Sequence, residues 1–223
     1  MILFNFKKLE TISYSINPYW PHIWFKKISA LAVFILLFTS CGNTKYHYYF
    51  EKGSIVDFTK GEWILNKAYT NYNEERINKI ASREFGKILD DSLFPIESLR
   101  KDKLVPAQLS FNPSQENLYD LKTATGKDYL INVQSNMIKN EMGSFAHAPA
   151  MGSTVKTNEA GIIIKIYDLN SQTLLSEGMV TGIAKVTKSA DGKNWDYVNN
   201  AQTLSMQGLI KLIKRYKKNG RTY

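Results

Sequence analysis

The chain has 223 residues, 43% of them hydrophobic and 22% charged, with a formal net charge of +9. This composition excludes a disordered polymer and suits a folded domain with a sizeable core. A single cysteine excludes an internal disulfide, so packing alone must stabilise the fold.

Met1 to Trp24, with Pro18 and Pro21, forms a long leader that is set aside from fold reasoning. The basic pair Lys26 and Lys27 precedes an uncharged stretch from Ile28 to Phe38. As a helix these residues rise only about 16 Å, half of a bilayer core, which suits a signal peptide better than a membrane span. Thr39 and Ser40 then lead into Cys41. This run resembles the lipobox of bacterial lipoproteins, with Phe38 where leucine is commonest. The resemblance implies that Cys41 is cleaved to the amino terminus and lipidated, with acyl chains that anchor at about 0.8 kcal/mol per buried methylene. Residues 1–40 are then leader and signal, and 41–60 a tether. Tyr46, Tyr48, Tyr49 and Phe50 within it can lie at head-group level or add a strand to the domain.

The domain is expected over 61–223. Its first strand spans Glu62 to Asn66. Asn73 is a plausible N-cap, followed by Glu74 and Glu75 and a helical stripe of Ile77, Ile80, Ala81, Phe85, Ile88 and Leu89. Pro95 should end this helix near Leu93. Ile96 to Leu99 reads as a weak strand, with Gln108 to Phe111 as its competitor. Asn112 before Pro113 predicts a second helix start, Leu118, Leu121 and Ala124 its buried stripe, and Gly126 its left-handed end. Asp128 to Val133 is a central strand. Ile162 to Asp168 and Thr173 to Ala184 form a hairpin through Leu169 to Gln172. Ala201, Leu204, Leu209, Leu212, Ile213 and Tyr216 mark a closing amphipathic helix. The order β-α-β-α-β-β-α predicts an α/β (α+β) domain, a mixed sheet with helices packed on it.

"TGKDYLINVQ" and "IKIYDLNSQTLLSEGMVTG" resemble a strand and a hairpin shared by a group of envelope domains. The group comprises the curli-export pore family, the lipoprotein activators of penicillin-binding proteins and the amino-terminal domain of TolB. The resemblance spans roughly residues 62–218 and implies a binding module, with no catalytic residues to carry over. Ser171-Gln172 stands where the family often has Thr-Gly.

The residues themselves point the same way. His22 and His47 lie in the leader and beside the anchor, and His147 stands alone in a loop. Asp90 and Asp91 are adjacent on a helix end and diverge. Gly143, Gly152 and Gly161 lack a phosphate-loop context. No catalytic, metal or cofactor site is therefore expected, nor an enzyme. The loop "MGSFAHAPAMGS" is the candidate contact surface, through Met142, Phe145, His147 and Met151, unless its apolar residues fold back onto the core.

The leader carries +3 of the charge, leaving +6 after Cys41, and no acid follows Asp196, whereas Lys211, Lys214, Arg215, Lys217, Lys218 and Arg221 do. That cationic end suits a solvated helix face, phospholipid head groups or an acidic partner, and not nucleic acid in an envelope protein. Two functions remain. One is a lipid-tethered adaptor for an envelope assembly in cell-wall synthesis or secretion, on the periplasmic side of the outer membrane; the other is a subunit of an outer-membrane secretion channel. Gly42 is not the aspartate that commonly retains lipoproteins at the inner membrane, which favours the outer one. Homo-oligomerisation stays open. Residues 134–160 disfavour the channel, because neither alternate register is an apolar band and one aims Lys139 and Glu141 at lipid.

Overall fold

The computed structural model describes residues 44–142, 145–147, 156–186 and 195–220, all within one compact unit, Gly42–Tyr223. The strands are β1 (Thr44–Lys52), β2 (Trp63–Leu65), β3 (Tyr69–Thr70), β4 (Leu93–Pro95), β5 (Tyr129–Asn140), β6 (Phe145–His147), β7 (Lys156–Asp168), β8 (Thr173–Val186) and β9 (Trp195–Tyr197). The helices are α1 (Glu74–Leu89), α2 (Ile96–Leu99), α3 (Gln115–Thr125) and α4 (Ala201–Gly220). The expected α+β class holds. A seven-stranded mixed sheet runs β1-β8-β7-β5-β2-β4, with β3 beside β5, and β6 pairs with β9 apart from it.

β2 runs parallel to both of its neighbours, β4 and β5, so the crossover through α1 from β2 out to β4 and the crossover through α3 from β4 back to β5 run in opposite directions. Right-handed crossovers then put α1 and α3 on opposite faces. The core divides accordingly. On one face α1 and α4 cover Trp63, Ile131, Ile162, Ile164, Ile166 and Val180. On the other, α2 and α3 cover Ile64, Leu130, Tyr167 and Leu169.

The long strands alternate as period-two chains must. Ile162, Ile164 and Ile166 are fully buried under the helices, while Ile163 and Lys165 point the other way and are half-buried. The 20-residue α4 buries Leu204, Leu209, Leu212, Ile213 and Tyr216, the stripe read from its periodicity. Its docking requires Gly178, where a Cβ would stand 2.6 Å from the Tyr216 hydroxyl and 2.8 Å from the Phe50 ring. Gly126 takes the expected left-handed conformation at φ 75°.

Several boundaries differ from expectation. The tether 41–60 becomes structured from Thr44, since β1 pairs antiparallel with β8 from Thr44↔Ala184 to Lys52↔Glu177. Tyr46, Tyr48 and Phe50 pack on the core beneath α4, which is the strand alternative. α1 stops at Leu89 and passes through a short 3-10 turn. Ile96 to Leu99 is a helical turn and not a strand, because Pro95 sits at its N-cap with β φ/ψ and the strand falls just before it, at Leu93–Pro95. Gln108 to Phe111 is irregular, held by Tyr69 and Tyr167, whose hydroxyls donate to the Leu109 carbonyl at 2.5 Å and the Phe111 carbonyl at 3.1 Å. The cap of α3 is Ser114 and not Asn112: its hydroxyl accepts from Asn117 N–H at 3.2 Å, and Asn117 accepts from Ser114 N–H in return. Asn73 precedes α1 in the left-handed region, φ 44°, without a side-chain cap.

Asp128 joins three elements, accepting from Lys122 Nζ at 2.9 Å, Glu62 N–H at 3.0 Å and Asn170 Nδ2 at 3.3 Å. The Lys122 hydrogen bond, with the other donors, outweighs desolvation and holds its carboxyl below the usual value of 3.8. A depressed folded pKa means the native state binds fewer protons than the unfolded chain. The contribution is therefore complete above pH 3.8 and declines as pH falls below it. Asp128→Asn should flatten the acid limb of stability against pH, measured by denaturant titration. Leu212 is fully buried, so Leu212→Ala should destabilise by about 2–5 kcal/mol and lower the melting temperature.

Candidate functional site

The residues singled out in the sequence are dispersed. Cys41 and Met151 lie outside the described residues. Phe145 and His147 stand at the ends of β6, which pairs them in register with Tyr197 and Trp195 of β9. The small-residue loop therefore contains a strand. Its partner lacks a period long enough to be read from sequence. Met142 is buried beside Val198, with its N–H donating to Asn158 Oδ1 at 3.0 Å. It follows the alternative of an apolar residue folded back onto the domain.

Two surfaces come from the layering instead, and only the cationic end of α4 in the second was announced by the sequence. The first is the sheet face opposite α4. Register places Tyr49, Met179, Ile163 and Gln134 in one row across β1, β8, β7 and β5. His47, Thr181, Gly161 and Asn136 form the next. No helix among the described residues covers these rows. Tyr49 is 59% exposed, Ile138 53% and Met179 36%, and Ile163 and Ile183 are half-buried beside them. Toward the α3 end the face becomes polar, where Lys165 and Glu177 pair across strands at 3.0 Å.

The second surface is the outer side of α1 and α4. Together they carry Arg76, Lys79, Arg83, Lys87, Lys211, Lys214, Arg215, Lys217 and Lys218 against Glu74, Glu75 and Glu84. Nine cations less three anions give +6, which equals the whole net charge after Cys41. The remainder of that region is neutral. Glu84 is buried, and Arg83 and Lys87 both reach its Oε1 at 2.8 Å. The Lys87 bond chiefly holds its carboxyl below the usual range. Between the helices lies a groove of about 650 Å³, floored by Ile80, Met206 and Ile210 and walled by Arg76, Lys79 and Arg83.

Beside the groove, Lys211 stands 4.9 Å over the Tyr46 ring and Arg215 4.8 Å over that of Tyr48. Burial pushes the Tyr46 phenol up to about 12, so at neutral pH it stays protonated and donates to Gln207 Oε1 at 2.8 Å. A smaller pocket of about 340 Å³ lies beyond the end of β2. Several of its polar groups are engaged: Arg100 pairs with Glu97 at 2.7 Å, and Asn66 Nδ2 donates to Tyr69 Oη at 2.6 Å and Asn132 Oδ1 at 3.0 Å. Arg100 also donates to the Pro106 carbonyl at 2.8 Å, which ties down the chain after α2.

Among the described residues no group of three His, Cys, Asp or Glu side chains could hold a metal, and no helix is long and apolar enough to cross a membrane. No family model matches the chain, and no curated relative matches it. Solved structures similar to it include a PelC dodecamer from Paraburkholderia phytofirmans, at 9% identity and TM-score 0.43, covering 77% of this chain and 97% of that one. Another is the hypothetical protein CT253 from Chlamydia trachomatis, at 12% identity and TM-score 0.39, covering 74% and 100%. A third is the lipoprotein GNA1162 from Neisseria meningitidis, at 12% identity and TM-score 0.32, covering 71% and 99%. The curli-export, penicillin-binding-protein-activator and TolB proteins are not among these three.

The open sheet face makes a clear mutational expectation. Met179→Lys and Ile138→Lys change partly exposed side chains and should shift stability by no more than about 0.5 kcal/mol each. Ile164→Lys, one pleat away on the buried side, should prevent folding, as circular dichroism would show.

Proposed function

We propose that this chain is an outer-membrane lipoprotein whose periplasmic domain is a non-catalytic binding module for a protein of an envelope assembly. The observation that carries the reading is the sheet face that no helix among the described residues covers. Tyr49, Met179, Ile163 and Ile138 form an apolar group on a rigid, four-stranded platform, where a partner can bury it without rearranging the backbone. Aromatic and methionine side chains at such a centre suit protein recognition.

The lipid anchor on Cys41 is part of the same proposal. It holds the domain at the membrane while the sheet face is presented away from α4. Gly42 directs the protein to the outer membrane, and the partner belongs to cell-wall synthesis or secretion. A second copy of the chain is another occupant of the same face.

Three measurements test this reading. A fatty-acid analogue should label the wild type in growing cells and leave Cys41→Ser unlabelled; equal labelling of both removes the anchor. A photocrosslinker at Met179 should capture one envelope protein, or a second copy, whereas one at Tyr119, exposed on α3, should not. Purified lipidated protein should leave planar bilayers electrically silent, and discrete conductance steps would replace the adaptor with a channel.

A further inference from the structure

The groove between α1 and α4 and the attachment point of the chain lie at the same end of the domain. Asn199 Nδ2 donates to Thr44 Oγ1 at 3.0 Å, which fixes the start of β1 against the N-terminus of α4. Tyr46 then reaches Gln207, a residue of the groove wall. α1 and α4 run parallel. Asn73 and Thr203 flank the groove near their N-termini, and Lys217 Nζ donates to the Lys87 carbonyl near their C-termini. Both macrodipoles therefore direct their positive ends toward the groove and the chain's entry point.

Cys41 is three residues before Thr44, a reach of about 10 Å when fully extended. On the lipid-anchor reading proposed above, on which this step rests, the start of β1 at Thr44 is held within that distance of a bilayer surface, with the groove at the same end of the domain. Such confinement makes a weak electrostatic contact effective. The groove walls offer Arg76, Lys79 and Arg83 against Glu75, all three cations are exposed, and among the described residues only Arg83 of the three is paired, with Glu84 behind it. Lys211 and Lys214 extend the positive strip along α4. An acidic protein would meet the same charges, but it would gain nothing from the nearby anchor.

We propose that the groove between α1 and α4 seats the head groups of an anionic phospholipid surface, laying the helix layer on the membrane and turning the open sheet face outward. Arg76 supplies forked donors for phosphate oxygens, Lys79 and Lys211 supply point charges, and Arg83, whose Nε and one Nη already bond Glu84, adds only its outward face. Ile80, Met206 and Ile210 meet the glycerol and upper acyl region.

The test uses the full lipidated chain on phosphatidylcholine vesicles with and without phosphatidylglycerol, reading lysine acetylation by mass spectrometry. Lys79 and Lys211 should react about five-fold more slowly on the anionic vesicles, and exposed Lys101 equally on both. The paired change Arg76→Glu with Lys79→Glu should abolish the protection of Lys211 without altering the melting temperature. Equal rates on the two vesicles would overturn the proposal. So would protection on neutral vesicles by added polyglutamate to the same extent, which would assign the groove to an acidic peptide. Failure to float with neutral vesicles would instead remove the anchor. The lysine comparison, run with the same chain added to preformed vesicles, would still decide the groove.

Discussion

The register of β7 is the constraint on which the rest of the structure depends. Paired on both sides, with β5 and β8, it places Ile162, Ile164 and Ile166 under the helices at 0% exposure. Burying each contributes about 1.5–3 kcal/mol relative to exposure. A slip by one residue would exchange those three for Ile163 and Lys165 and put a charge beneath α4. The docking of α4 follows from that register. So does the addition of β1, because Tyr46, Tyr48 and Phe50 gain cover only where α4 already lies across β8.

The same layering separates the chemistry of the two sides. Helices on a sheet bury one stripe and offer the opposite one to water. Here the water-facing stripes of α1 and α4 carry the domain's net charge. The far side of the β1-β8-β7-β5 sheet has no helix among the described residues, so its alternate side chains define a second, mildly apolar surface. Neither surface is contained in one sequence cluster, although Lys211 to Lys218 supply much of the charge of the first. Each is assembled by register and helix placement from residues more than a hundred positions apart.

Buried polar groups in this domain act as fasteners. Ser135, Ser205 and Tyr72 join their hydroxyls between β5, α4 and the turn before α1. Ser176 and Tyr216 do the same between β8 and α4 at 2.9 Å. Among the described residues no buried side-chain nitrogen or oxygen lacks a hydrogen-bond partner. Satisfied networks of this kind cost little and fix one relative placement of sheet and helix, whereas an unpaired member would cost about 1–3 kcal/mol.

The sequence by itself determined α1, α3, α4 and the β7–β8 hairpin, because each has a periodic stripe long enough to outweigh local noise. The left-handed end at Gly126 was equally legible, since only glycine takes that conformation freely. The hairpin turn held even with Gln172 in place of glycine, at φ 53°, because Asp168 accepts from the N–H groups of Asn170 and Ser171. Tertiary structure alone decided the fate of short segments. Leu93–Pro95 and Tyr69–Thr70 are strands only because β2 and β5 offer them open edges. The cap moved from Asn112 to Ser114 because a reciprocal partner at Asn117 outweighs a favourable proline. Tyr46, Tyr48 and Phe50 could serve lipid or the domain, and only the α4–β8 layer beside them selected the core, leaving Tyr49 on the opposite face. A period-two pattern states that two faces differ; which of them meets a helix depends on contacts that no local window contains.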